Sequence, residues 1–294
     1  MSNMVRAISK NGGAIVCAVD STNIVSKMES IHKTSATASA ALGRLLTGAA
    51  LIGSSLENKE DSVTLKLKGG GIIGTVTAIC GFGGNVRGCC DCPQADLPLN
   101  PANGKLNVGA LVGTDGCLTV IKDIGLNEPY IGQTPLVSGE VAEDITSYFA
   151  KSEQIPTACA LGVLVNPDLT IKAAGGYMLQ LLPGASEEEI LLIEQNIAKL
   201  DAVTSMLNRG MTPLKIAFAV LDGFEPKILE TSSAEFHCNC SRDKMRRVLI
   251  SLGEQELRQL SEEQDITEIV CSYCNSKYEF TKEQLSTLIK EISK

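Results

Sequence analysis

Tryptophan is absent from the 294 residues, and aromatic side chains make up only 4% of them. A surface that stacks successive bases on aromatic rings is therefore out of reach. Only two histidines occur, His32 and His237, so no serine, histidine and acid constellation can be assembled and hydrolytic chemistry has no support. Positive charge also runs short: 26 Lys and Arg face 34 Asp and Glu, a formal net charge of −8. That balance opposes a broad footprint on polyanions, so neither nucleic acid nor a membrane is an expected partner. The amino terminus, MSNMVRAISKNGGAIVCAVDS, lacks an uninterrupted apolar run ending in a small-residue cleavage site. The reading is a cytoplasmic chain without a signal peptide.

What is present is enough apolar material for an ordinary core, 44% of the residues, in a chain long enough for more than one domain. The stretch from Thr34 to Leu56 is about long enough to span a bilayer. Arg44 sits in its middle, and Ser, Thr and Gly make up much of it, so it is read as a buried soluble helix. Residues 1–182 otherwise look strand-like, as in the alternation Val63-Thr64-Leu65-Lys66-Leu67-Lys68. A second helix is expected over Ser138 to Ala150, and Asn166-Pro167-Asp168 marks a hairpin turn. Antiparallel strands with segregated helices make the fold class α+β.

Past Pro183-Gly184 the period changes. Ser186-Glu187-Glu188-Glu189 reads as a capping box opening one helix with apolar positions at Ile190, Ile193, Ile197, Leu200, Val203 and Leu207, closed by Gly210. Thr212-Pro213 opens another, carrying Leu214, Phe218 and Leu221. Residues 183–231 are thus expected to form a helical connector, and 232–294 a small C-terminal domain. The latter holds a helix over SRDKMRRVLISLG and a last capping box at Thr281-Lys282-Glu283-Gln284.

Eleven cysteines without a secretion signal argue for metal or redox chemistry over a disulfide framework. Cys238 and Cys240 stand one residue apart, and Cys271 and Cys274 form a second short pair about thirty residues on. Four thiolates so spaced suit one tetrahedral Zn²⁺, with every position filled by protein. Such a centre is structural or regulatory, not hydrolytic. His237 is a minor candidate as an extra ligand. Arg242, Lys244, Arg246 and Arg247 follow directly and could offset the negative charge, or could simply form a solvated helix face. If the metal left, each pair could close a small, readily reduced ring; a plain structural site is the alternative.

Other constellations are weaker. Gly69-Gly70-Gly71-Ile72-Ile73-Gly74 satisfies G-x-G-x-x-G, but a strand follows it where a phosphate site needs a helix. Cys271-Ser272-Tyr273-Cys274 could serve a thiol oxidoreductase, yet Cys271 follows a strand, whereas such enzymes put the first cysteine at a helix N-terminus. A zinc-ribbon nucleic-acid module conflicts with the acidic balance.

The runs CNCSRDK and CSYCNSKYEF, with TASAALGRLLTGAALIG, GGGIIG, KDIGLNEPYIGQ, SGEVAEDITSYFAKSEQIP and GGYMLQLLPGA in the body, together span the chain. They resemble the thirty-three-kilodalton redox-regulated heat-shock chaperone family. The resemblance implies a non-enzymatic, ATP-independent holdase that binds unfolded client proteins under heat and oxidative stress. It implies Zn²⁺ on Cys238, Cys240, Cys271 and Cys274 in the reduced, inactive state, and disulfides Cys238–Cys240 and Cys271–Cys274 with zinc release and a homodimer in the oxidised one. Clients would then meet the uncovered connector at Ile190, Ile193, Ile197, Leu200, Phe218 and Leu221. Two features depart from the family pattern. Arg87-Gly88-Cys89-Cys90-Asp91-Cys92-Pro93 stands where an aromatic usually follows Arg-Gly, raising a second thiol site involving Cys80 and Cys117 as an alternative to ordinary packing. The segment LKIAFAVLDGF is more apolar than a metastable linker suggests.

Overall fold

The computed structural model describes residues 3–292 of a chain that divides into two units, Met1–His237 and Cys238–Lys294. The first unit begins with β1 (Met4–Ile8), β2 (Ala14–Asp20), α1 (Thr22–His32), α2 (Ala36–Gly53), β3 (Ser62–Lys68), β4 (Thr75–Gly81) and β5 (Asn85–Cys90). It continues through α3 (Val108–Val112), β6 (Cys117–Asp123), β7 (Tyr130–Pro135), α4 (Ala142–Tyr148), β8 (Thr157–Val165) and β9 (Ile171–Leu181). Next come α5 (Glu187–Lys199), α6 (Val203–Asn208), α7 (Pro213–Val220), β10 (Lys227–Ser232) and β11 (Glu235–Phe236). One sheet has the order β10-β1-β2-β9-β8 and the other β11-β5-β4-β3-β6-β7. Pairing is antiparallel except where β11 runs parallel to β5. The fold is α+β.

The alternation in β3 works as the period-two rule requires: Val63, Leu65 and Leu67 are buried, while Lys66 and Lys68 are exposed. Between the sheets lies α2, packed on β4 and β5 of one and β8 and β9 of the other. Its small residues allow that approach. A Cβ at Gly43 would sit 2.8 Å from Val25 Cγ1, and one at Gly48 would sit 2.5 Å from Ile145 Cδ1. Among the described residues α2 is the one helix long and apolar enough to cross a membrane, and 89% of it is buried inside the protein. Arg44 reaches the rim of the core, where its Nη1 donates to Glu140 O at 3.2 Å and to the Glu140 carboxylate.

Three expectations for helices change. The helix expected from Ser138 starts only at Ala142, because Val141 takes φ 73° and the buried Asp144 carboxylate accepts N–H bonds from Val137, Ser138, Gly139 and Val141. The helices α1 and α3 interrupt the strand-like body in addition to the two read from the sequence. The single helix from Ile190 to Leu207 is two, since Leu200 is extended, with φ −76° and ψ 139°. On the two sides of that break Ile193, Val203 and Met206 are buried in one cluster with Val16, Ala18, Tyr177 and Leu179. The capping box at Ser186 is present: Ser186 N–H donates to Glu189 Oε2 at 2.7 Å.

Within α7 the buried face is Ile216, Ala217 and Val220, followed by Leu221, while Phe218 is 37% exposed. The face read as Leu214, Phe218 and Leu221 is therefore rotated, Leu221 alone of the three lying fully inside. Asn196 ties α5 to the end of α7, its Nδ2 donating to Val220 O at 3.3 Å and Asp222 O at 2.8 Å. The second unit contains α8 (Arg242–Leu252), α9 (Glu254–Glu263), β12 (Ile266–Val270), β13 (Lys277–Thr281) and α10 (Lys282–Ile292). Its core is small, built on Leu249, Leu257, Phe280, Leu285, Leu288 and Ile289.

Candidate metal centre

The strands β12 and β13 pair antiparallel up to Val270 opposite Lys277, and the turn between them carries Cys271 and Cys274. Its backbone is tightly closed. Cys271 N–H donates to Ser276 O at 2.9 Å, Asn275 N–H to Cys271 O at 2.8 Å and Cys274 N–H to Cys271 O at 3.3 Å. Asn275 supplies the left-handed conformation, φ 57°, that this closure needs, and asparagine tolerates it better than most residues. The two thiols are thereby aimed to one side.

Cys238 and Cys240 precede α8, whose N-cap Ser241 accepts from Lys244 N–H at 3.2 Å. Asn239 between them is exposed while both cysteines are half-buried, the alternation of an extended segment. All four sulfurs lie within 4.8 Å of one another. Across the pairs, Cys238 Sγ is 3.7 Å from Cys271 Sγ and Cys240 Sγ is 3.4 Å from Cys274 Sγ. Four sulfurs placed about 2.3 Å from a tetrahedral ion are separated by about 3.8 Å. The cluster can hold a metal ion.

Two neighbours that sequence reasoning passed over complete the site. Tyr278 on β13 donates its hydroxyl to Cys240 Sγ at 3.0 Å, and Cys274 Sγ lies 3.2 Å from Ser276 Oγ. Their signal was the spacing of Ser276 and Tyr278, two and four residues past Cys274 on an emerging strand. The thiols differ in acidity. Burial pushes Cys238 and Cys271 up. Burial acts on Cys274 too, but hydrogen bonds from Ser276, Cys240 and Cys238 outweigh it and bring this thiol to about 7. The hydrogen bond to Cys240, with some burial, raises Tyr278 to about 12.

The other candidates are placed elsewhere. His237 is not part of the sulfur cluster, and its backbone N–H donates to Val86 O at 2.9 Å. Arg242 lies 4.4 Å over the Phe280 ring and donates to Gln284 Oε1 at 2.8 Å, and Arg246 pairs with Glu291. These two arginines serve the contact between α8 and α10. In the body, Cys80 is buried and its thiol is pushed up to about 12 by burial; Cys90 is raised likewise. Among the described residues Cys238, Cys240, Cys271 and Cys274 are the one group of three or more such ligands that is gathered, so Cys80, Cys89, Cys90, Cys92 and Cys117 form no second site of that kind. The G-x-G-x-x-G run is a turn that enters β4, with no helix for a phosphate.

Residues 2–281 match the family model described as Hsp33 protein. The chain is 43% identical over 291 residues to the 33 kDa chaperonin of Alkaliphilus metalliredigens, covering 99% of both chains. It is 45% identical over 289 residues to that of Clostridioides difficile, covering 98% of this chain and 99% of that one. Among solved structures, the crystal structure of the 33 kDa chaperonin (heat shock protein 33 homolog) of Thermotoga maritima superposes with a TM-score of 0.90 at 35% identity, with all of both chains covered. With the α+β body, the sulfur cluster and these matches in agreement, the chain is a member of the Hsp33 family of heat-shock chaperones.

Proposed function

We propose that this chaperone is a redox-regulated, ATP-independent holdase of the cytoplasm, held inactive while Cys238, Cys240, Cys271 and Cys274 bind Zn²⁺. The observation that carries the reading is the gathering of four sulfurs within 4.8 Å in a unit whose apolar core is so small. When bound, the ion supplies a clamp between two segments more than thirty residues apart. The free energy of that clamp is folding free energy for a domain of this size. Ser276 and Tyr278 steady the sulfurs, and the closed turn at Asn275 keeps the second pair aligned.

Oxidation removes the donors. Each pair of thiolates gives up two electrons to hydrogen peroxide, a sulfur–sulfur bond forms, and the O–O bond breaks, its two oxygens taking two protons from solvent and leaving as two waters. Two pairs consume two equivalents. Once the domain is loose, neighbours in sequence meet fastest, which favours Cys238–Cys240 and Cys271–Cys274 over cross-pairs. Loss of this domain then destabilises the connector, 183–231, and the faces carrying Ile190, Ile193, Ile197, Leu200, Phe218 and Leu221 meet unfolded clients, with a homodimer as the active form. Support for an apolar client surface there comes from the burial of Ile193 and Leu221 and part-burial of Ile190, Ile197 and Leu200, which must be uncovered first. No nucleic acid or membrane partner and no catalysis enter the reading.

The test measures zinc content and free thiols before and after peroxide, together with suppression of aggregation of a heat-unfolded protein. Expected are one Zn²⁺ per reduced chain, its release with loss of four thiols, local disulfides by peptide mapping, and client protection only afterwards. Protection by the zinc-loaded reduced protein, or a dominant Cys240–Cys271 bond, would overturn it.

A further inference from the structure

One strand of the five-stranded sheet is held differently from its neighbours. In β10, Lys227 to Thr231 are all exposed, Ile228 and Leu229 at 49% and 51%, and Ser232 is half-buried. Beside it in the sheet, Met4, Val5 and Ala7 of β1 are buried, and β1 is paired on its other side with β2 over its full length. The grip on β10 comes chiefly from the backbone ladder, interrupted by a bulge between Arg6 and Ala7, with a 3.6 Å ion pair from Arg6 to Glu230. No side chain of β10 reaches a core.

The ends of this strand are fixed unequally. Upstream it continues from α7, whose end is tied to α5 through Asn196. Downstream, Asn3 clamps Ala234, its Nδ2 donating to Ala234 O at 3.0 Å and its Oδ1 accepting from Ala234 N–H at 2.8 Å. Beyond lies the pairing of β11 with β5. Ser233 is the joint between a fixed post and whatever the connector does.

We infer that β10 is an internal stand-in for client: when the connector detaches, β10 leaves with it, and the bared edge of β1 takes up an extended segment of unfolded polypeptide as an added antiparallel strand. An unpaired strand edge is a ready template for another chain. Recognition through the main chain is indifferent to side-chain sequence, which suits a holdase that must accept many clients. The present occupant shows how little the edge demands, since Lys-Ile-Leu-Glu-Thr-Ser pairs with it while presenting nearly every side chain to solvent. The inference rests on the proposed release of the connector and adds, beside the connector faces, a second place where client binds.

Amide exchange on the full-length protein tests it, with a fluorophore-labelled, reduced and carboxymethylated polypeptide as probe. On oxidation, protection should fall about tenfold or more over Lys227–Ser232 and over the β1 amides that face it. Adding probe should restore protection to Met4–Ile8 and not to Lys227–Ser232. Exchange showing β10 still paired while probe is bound overturns the inference. Protection of β1 returning without probe, at the sedimentation mass of a dimer, also overturns it, because the occupant is then a second copy. Independently, Glu230→Pro, which cannot sit within a ladder without loosening it, should let the reduced, metal-loaded protein bind probe about tenfold more tightly at unchanged zinc content. Unchanged affinity with β10 in fast exchange counts against it. If oxidised wild type neither releases metal nor protects clients, the switch itself fails; if it does both while β10 stays protected, only the strand exchange fails.

Discussion

The two units solve the problem of stability differently. The body wraps two sheets around α2 and buries large side chains completely, Leu42, Leu45, Leu46, Leu65, Leu67 and Tyr148 among them. The C-terminal unit fits about sixty residues around six buried apolar side chains and a sulfur cluster. Below about seventy residues an apolar core rarely supplies enough free energy by itself. The contrast teaches that one unit can draw its stability from side-chain burial while the other adds to a small core a sulfur cluster able to hold a metal ion.

The strongest way to break the comparison is to take the clamp away. Structural zinc in small domains contributes about 10–16 kcal/mol, so stripping the reduced protein with a chelator should bring fast amide exchange across residues 238–292 and leave α2 and β3 protected. Protection of α8 and α10 after stripping would mean their core suffices and the contrast is false.

Core truncations come next. Leu46→Ala, at a fully buried site of the body, should cost about 2–5 kcal/mol in the body's calorimetric transition with zinc content unchanged. Leu285→Ala, equally buried in the small unit, removes a similar about 2–5 kcal/mol but should be tolerated while metal is bound. Its effect then appears as earlier zinc loss on heating, read with a chromogenic chelator. Equal behaviour of the two variants would erase the distinction.

A smaller effect sharpens the site. Tyr278→Phe deletes the donor to Cys240 Sγ and should speed zinc loss to a competing chelator by about tenfold, as removal of a ligand's hydrogen-bond partner commonly does. No change would make Tyr278 a packing residue only.

Much of this was legible because it is local. Cys238, Cys240, Cys271 and Cys274 announced themselves by spacing, and the capping boxes at Ser186 and Thr281 by residue type, since both depend on a few adjacent positions. The alternation of β3 and the burial of α2 followed from which side chains water rejects. What was misread depends on partners far away in sequence. Nothing near Leu200 announces a break; only in the fold do buried positions on either side of it, Ile193, Val203 and Met206, join one cluster with Val16 and Leu179. Phe218 reads as apolar, but which face of α7 turns inward is set by Ala7, Ala14 and Ala18 on β1 and β2.

The sequence by itself determined the α+β class, the positions of the caps and turns, and the identity of the sulfur set, because those follow from periodicity, backbone preference and ligand chemistry acting over a few residues. Tertiary structure alone decided that Arg242 and Arg246 turn to Phe280, Gln284 and Glu291, that Tyr278 meets Cys240, and that β10 lies on β1 with its side chains in solvent. Those choices are made between segments that meet only after folding, where competing partners are compared by burial and hydrogen bonding across space, and no short window of residues carries that comparison.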